Sequence, residues 1–170
     1  SAALWESWKT LRSWSMAASY ISYFETPHLY DLLKPAVLWE IENGLALSGL
    51  DIHNASCLRS DWYAQAARLF EEFDVLVLPS TQIWPFPAEQ VHPTHINDVE
   101  LDTYHRWMEV VIPASLIGLP VVNVPAGFGD AGLPFGLQLI GAKGQDAALL
   151  SIAQAWHEAK DWPNVRPPQL

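Results

Sequence analysis

Val110–Gly141 reads VVIPASLIGLPVVNVPAGFGDAGLPFGLQLIG, and it holds six of the nine glycines in the chain. Between Val110 and Phe128 no residue is charged, and only Ser115 and Asn123 are plainly polar. That length of apolar sequence meets the criterion for a membrane-spanning helix. Its punctuation does not. Pro113, Pro120 and Pro125 each lack a backbone donor, and Gly118 and Gly127 lie between them. In lipid such breaks would leave peptide groups unsatisfied. The stretch instead predicts a buried helix end, a turn at Gly118-Leu119-Pro120 and a strand over Val121–Val124. A turn at Gly129–Gly132 and a second strand over Phe135–Ile140 follow. The β-branched VVNV run and the shortness of both segments favour strands.

The rest of the chain has to cover or position this core. Half of the 170 residues are hydrophobic, enough for one compact domain over 1–170. The formal net charge is −10, from nine basic and nineteen acidic residues, with no basic cluster. This argues against nucleic acid and against an anionic membrane surface as partners. Cys57 is alone, so no internal disulfide forms, and a reducing, cytoplasmic setting is expected. No signal peptide pattern opens the chain. It begins without methionine inside a helical pattern, which is the expectation for a fragment or a processed product.

Residues 2–72 are expected to be helical. Leu4, Trp8, Leu11 and Ser15 would share one helix face, with Trp5 and Arg12 beside them. Thr26-Pro27 breaks the pattern, and Pro35 opens a second helix over 36–47, with Leu38, Ile41, Leu45 and Gly49 on one side. Asn54 or Ser56 could cap a third helix ending at Glu72, burying Trp62, Ala66, Leu69 and Phe70. Residues 73–160 form the strand and helix core. Phe73–Pro79 reads as a buried strand. The four-proline segment 79–102 reads as an irregular loop in which Trp84 and Phe86 stand between prolines. A helix from Tyr104 to Ile117 would be kinked at Pro113. A last helix starts near Asp146, with Leu149, Ala153 and Trp156 facing one way. Residues 161–170 are proline-rich and read as an extended tail.

These residues carry little chemistry of their own. No G-x-S-x-G elbow and no phosphate-cradling loop is present. His53 and Cys57 would share a helix face, but an inert cysteine is the simpler reading. His92, His95 and Asp98, with Glu100 and Asp102 nearby, have ligand-like spacing, yet no second cluster completes a metal set and a solvated loop is the simpler reading. Asn123 and Gln138 sit within apolar strands. Such buried amides more often satisfy backbone groups than meet a ligand.

The central stretch resembles the C-terminal part of the amidase signature family. The match is carried by Ser115-Leu116-Ile117-Gly118-Leu119-Pro120, by Val124-Pro125-Ala126-Gly127, and by Gly132-Leu133-Pro134-Phe135-Gly136-Leu137-Gln138-Leu139-Ile140-Gly141. It departs at Ser115, where the family usually has Asn. The resemblance implies an α/β fold: the C-terminal part of a mixed β-sheet flanked by helices, with a helical N-terminal half. It implies hydrolysis of carbon–nitrogen amide bonds by a serine nucleophile, a second serine on a cis peptide and a lysine, without metal or organic cofactor.

Those catalytic positions match nothing here. The chain has no adjacent glycines, and Lys9, Lys34, Lys143 and Lys160 fall outside the family's motif. The expectation is therefore a non-catalytic C-terminal portion of an amidase acting on a small-molecule amide, with Ile83, Trp84 and Phe86 binding substrate. A scaffold or binding module, or a component of an amidotransferase, is the alternative. Cut from its larger sheet, the chain would expose an edge and an apolar face, so a homo-oligomer is expected.

Overall fold

A computed structural model describes residues 2–161 and residue 164. The expected extended tail thus lies, apart from Asp161 and Asn164, outside the described residues. The chain divides into two compact units between Gln65 and Ala66.

In the first unit, α1 (Ala2–Phe24) and α3 (Pro35–Ala46) pack together, with a short α2 (Pro27–Tyr30) between them. Pro27 and Pro35 each occupy a first helical turn, where a missing N–H costs nothing. The buried face of α1 is not the large-residue stripe that spacing predicts. Trp5, Ser7, Ser13 and Ala17 are buried, while Leu4, Trp8 and Leu11 are only half-buried and Ser15 is exposed. Close helix approach explains the shift. A Cβ on Gly44 of α3 would collide with the Ser13 carbonyl oxygen and come within 2.7 Å of the Ala17 Cβ. Small residues therefore sit where the helices cross, and Leu45 is turned out, 52% exposed.

Glu40 is fully buried beside this crossing. Its carboxylate accepts a 2.8 Å hydrogen bond from Arg12 Nε, because an ionised group inside a protein needs a partner. The third long helix, α4 (Gly49–Glu72), starts earlier than expected. Its cap is Ser48, not Asn54 or Ser56. The Ser48 N–H donates to Asp51 Oδ2 at 2.8 Å, and the Asp51 N–H donates back to Ser48 Oγ at 3.2 Å, a reciprocal capping box with Asp in the Glu position. Ala55 and Ala66 are buried, but Leu69 is exposed.

The second unit is built on a three-stranded antiparallel sheet of order β1-β5-β4, where β1 is Leu76–Pro79, β4 is Val121–Phe128 and β5 is Pro134–Ile140. The two strands read from VVNV and FGLQLI form a hairpin, and Leu76 of β1 pairs with Ile140. Alternation sets the two faces. On one face Val124 and Leu139 form a core with Leu149 and Ala153 of α6 (Asp146–Lys160). Trp156 closes that layer, its indole N–H donating to the Pro125 carbonyl at 2.9 Å. The other face carries the opposed pair Asn123 and Gln138.

Two expectations between β1 and β4 are corrected. The loop over 79–102 contains a small hairpin, β2 (His95–Ile96) with β3 (Val99–Glu100). Asn97 and Asp98 both have positive φ, as a two-residue type I′ turn demands. The kinked helix over 104–117 is instead a 3-10 helix (Arg106–Val111) followed by α5 (Ile112–Ser115). Pro113 opens α5 rather than bending a longer helix, since its ring cannot follow a regular turn but suits a helix start. Gly118, at φ 66, closes α5: the Leu119 N–H reaches the Ala114 carbonyl at 3.1 Å, a Schellman-type end.

Candidate substrate-pocket wall

A cavity lies at the proline-rich loop, in the second unit. It encloses about 400 Å³, within the range of small-molecule sites. Its wall is made by Ile83 and Trp84 from the loop and by Gly129, Pro134 and Phe135 from the β4–β5 hairpin. Asp130 is the one charged residue in that lining.

Two rings dominate. Trp84 meets Phe135 edge to face, with centroids 6.1 Å apart and planes at 82°, a favoured aromatic geometry. Both rings lie over glycine backbone. A Cβ on Gly129 would sit 2.5 Å from Trp84 Cη2, and one on Gly127 would sit 2.8 Å from Phe135 Cε1. Trp84 remains 52% exposed, so a broad apolar surface faces the cavity.

Of the three residues the sequence singles out, Ile83 and Trp84 come together at the cavity. Phe86 is not in its lining. It packs edge-on against Trp107, centroids 5.6 Å apart. Phe135, Pro134 and Gly129 also line the cavity, although in sequence they look like ordinary turn and strand residues. The available signal was an aromatic residue paired across the hairpin from Gly127.

The loop leaves β1 under several restraints. The Ser80 N–H donates to the Gly136 carbonyl at 3.0 Å. The Ser80 hydroxyl donates to Asn123 Oδ1 at 3.0 Å. Gln138, only 2% exposed, donates from Nε2 to the carbonyls of Pro79 at 2.8 Å and Val110 at 3.1 Å. Both strand amides thus serve neighbouring protein groups. A Cβ on Gly136 would come within 2.9 Å of Ser80 Oγ, so this position suits glycine.

The other sequence candidates do not assemble a site. Among the described residues no three His, Cys, Asp or Glu side chains converge to hold a metal ion. His95 pairs with Glu100 in the small hairpin, while His92 lies against Tyr104 with ring centroids 6.0 Å apart. His53 Nε2 and Cys57 Sγ do come within 3.6 Å, on an exposed face of α4. Among the described residues no helix is long and apolar enough to cross a membrane.

A helix-covered antiparallel sheet with two aromatic rings at its hairpin defines an α/β fold. The chain belongs to the amidase family, whose model matches residues 24–150. It is 34% identical over 135 residues to a fatty acid amide hydrolase of Medicago truncatula, covering 76% of this chain and 22% of that protein. It is 40% identical over 102 residues to a glutamyl-tRNA(Gln) amidotransferase component of Synechococcus sp., covering 59% of this chain and 18% of that protein. The chain thus spans about a fifth of the length of these curated relatives. Among solved structures, it superposes on a bacterial aryl acylamidase of the amidase signature enzymes with a TM-score of 0.81, at 23% identity, over 95% of this chain and 34% of that one. The fold expected from sequence, α/β with helices flanking a sheet, is the fold observed.

Proposed function

We propose that this chain is the C-terminal, non-catalytic portion of an amidase that hydrolyses carbon–nitrogen amide bonds, and that it supplies sheet core and one wall of the substrate pocket. The observation that carries this reading is the Trp84–Phe135 wall of a 400 Å³ cavity at the hairpin that bears the family motif. Ile83 and Trp84 contact the apolar part of a small-molecule amide, and Phe86 holds their loop against Trp107. An edge-to-face ring pair favours an aromatic or otherwise flat hydrophobic group over a charged one. Nucleophile, proton relay and oxyanion donors belong to the remainder of the enzyme, and the chemistry calls for no metal or organic cofactor.

The test is Trp84→Ala in the complete protein that contains this chain. Discrimination between an aryl amide and a short aliphatic amide should fall by roughly tenfold, the worth of one aromatic contact in a pocket. The melting temperature should change little, because Trp84 is half exposed. Equal loss on every substrate, in step with a lower melting temperature, would refute the reading. The similarity to amidotransferase components favours a second reading, in which the protein works within a larger assembly. Co-purification of the complete protein with stoichiometric partner proteins would select it, and a catalytically competent lone polypeptide would reject it.

A further inference from the structure

Val110 lies at the end of the 3-10 helix, far from Gln82 and Gln138 in sequence, yet both of its peptide groups are held by their side-chain amides. Its N–H donates to Gln82 Oε1 at 2.8 Å, and its carbonyl accepts from Gln138 Nε2 at 3.1 Å. Gln138 spends its second N–H on the Pro79 carbonyl at 2.8 Å, at the point where the loop leaves β1. Gln82 itself lines the cavity, two residues before Trp84. One buried side chain therefore ties the start of the loop to the 3-10 segment, and a second returns that tie to the loop at the cavity edge.

We propose that Gln82 and Gln138 are positioning residues for substrate: their two amides clamp Val110 and thereby fix the path of Thr81–Trp84, and with it the angle at which the Trp84 ring meets Phe135. The inference rests on the pocket reading above. The clamp has a polarity that makes it testable. Val110 needs an acceptor from Gln82 and a donor from Gln138. A carboxylate oxygen can replace the first and cannot replace the second. Gln82→Glu therefore keeps the clamp, Gln82→Leu opens it, and Gln138→Glu opens it by placing an acceptor against two carbonyls. A side chain that mattered only by filling space would not sort these variants by donor and acceptor.

The experiment uses the complete protein that contains this chain, and variants of it, with 4-nitroacetanilide as the probe. Three quantities are read by NMR below the melting transition: exchange of the Val110 amide proton, the Trp84–Phe135 cross-relaxation, and probe affinity. In Gln82→Leu, Val110 exchange should quicken about tenfold and probe affinity should fall about threefold to tenfold, the loss of one hydrogen bond. The ring cross-relaxation should weaken, and Gln82→Glu should restore all three. Gln138→Glu should weaken the ring contact and the affinity as Gln82→Leu does. The clamp is overturned if Gln82→Leu leaves ring contact and affinity as in the wild type, or if Gln82→Glu behaves like Gln82→Leu. Failure of the pocket reading is separate: it would show as unchanged probe affinity in Trp84→Ala, with Val110 exchange still governed by residue 82.

Discussion

Asp51 shows how one side chain reports its local structure. Hydrogen bonds from the Ser48 hydroxyl and the Ser48 backbone N–H hold its carboxyl below the usual carboxylate range. A carboxylate whose folded pKa is depressed contributes stability that is present above its unfolded pKa, near 3.9, and is lost as pH falls through the folded value. The start of α4 should accordingly fray only in acid, below the ordinary titration range of aspartate. In Ser48→Ala the Asp51 carboxyl, followed by carbon-detected NMR titration, should move up toward its ordinary value; an unmoved titration would remove the cap from the account. Single residues were also where sequence reading was least complete. The S-x-x-D pattern at Ser48 was legible, but Asn54 and Ser56 are equally good cap types, and only the hydrogen bonds choose. Gln138 could be read as a buried amide with backbone partners, and that is what it is. Its two carbonyls could not be named, since one lies 59 positions away.

At the scale of elements, the strands and the last helix were legible because period and punctuation agree. VVNV and FGLQLI are bounded by Gly and Pro, and Leu149, Ala153 and Trp156 recur at helical spacing over the sheet. The N-terminal helices are legible in sequence as helices, but α4 begins earlier than its cap candidates suggest and α1 buries a different face. Hydrophobic spacing favours large side chains, whereas here the crossing selects Ser13, Ala17 and Gly44 for their lack of bulk. Gly44→Ala tests this. Overpacking a close crossing costs about 1–3 kcal/mol, against the slight gain in propensity that alanine brings to an open helix position. Urea denaturation should show destabilisation, and a more stable Gly44→Ala variant would contradict the packing described. The segment between β1 and β4 was the least legible of all. Asn97-Asp98 between Ile96 and Val99 is a turn signal, but strands of two residues leave no period to detect.

For the whole molecule, the sheet order leaves β1 and β4 each with a neighbour on one side only among the described residues. Val77 and Val121 on those strands are 51% and 38% exposed. Open, apolar strand edges pair with other chains. The isolated chain should therefore run above its 19.0 kDa monomer mass in light scattering, and a monomer at micromolar concentration would contradict that expectation. The family was legible because its motif falls on the sheet hairpin, within the uncharged stretch and its glycine-rich continuation. The pocket was legible only in part. Trp84 advertises itself between prolines, while its partner Phe135 looks in sequence like any strand aromatic.

The central strand β5 has one partner close in sequence and one distant. β4 reaches it through a tight turn, while β1 reaches it only after the entire segment that carries Trp84 and the 3-10 helix. Closing a flexible loop costs only about 0.6 kcal/mol more for each doubling of its length. Insertions and deletions at the Asn97–Asp98 turn are thus nearly free for the sheet, provided the ends still reach Val110. The segment between β1 and the 3-10 helix can change its length while the three strands keep their register.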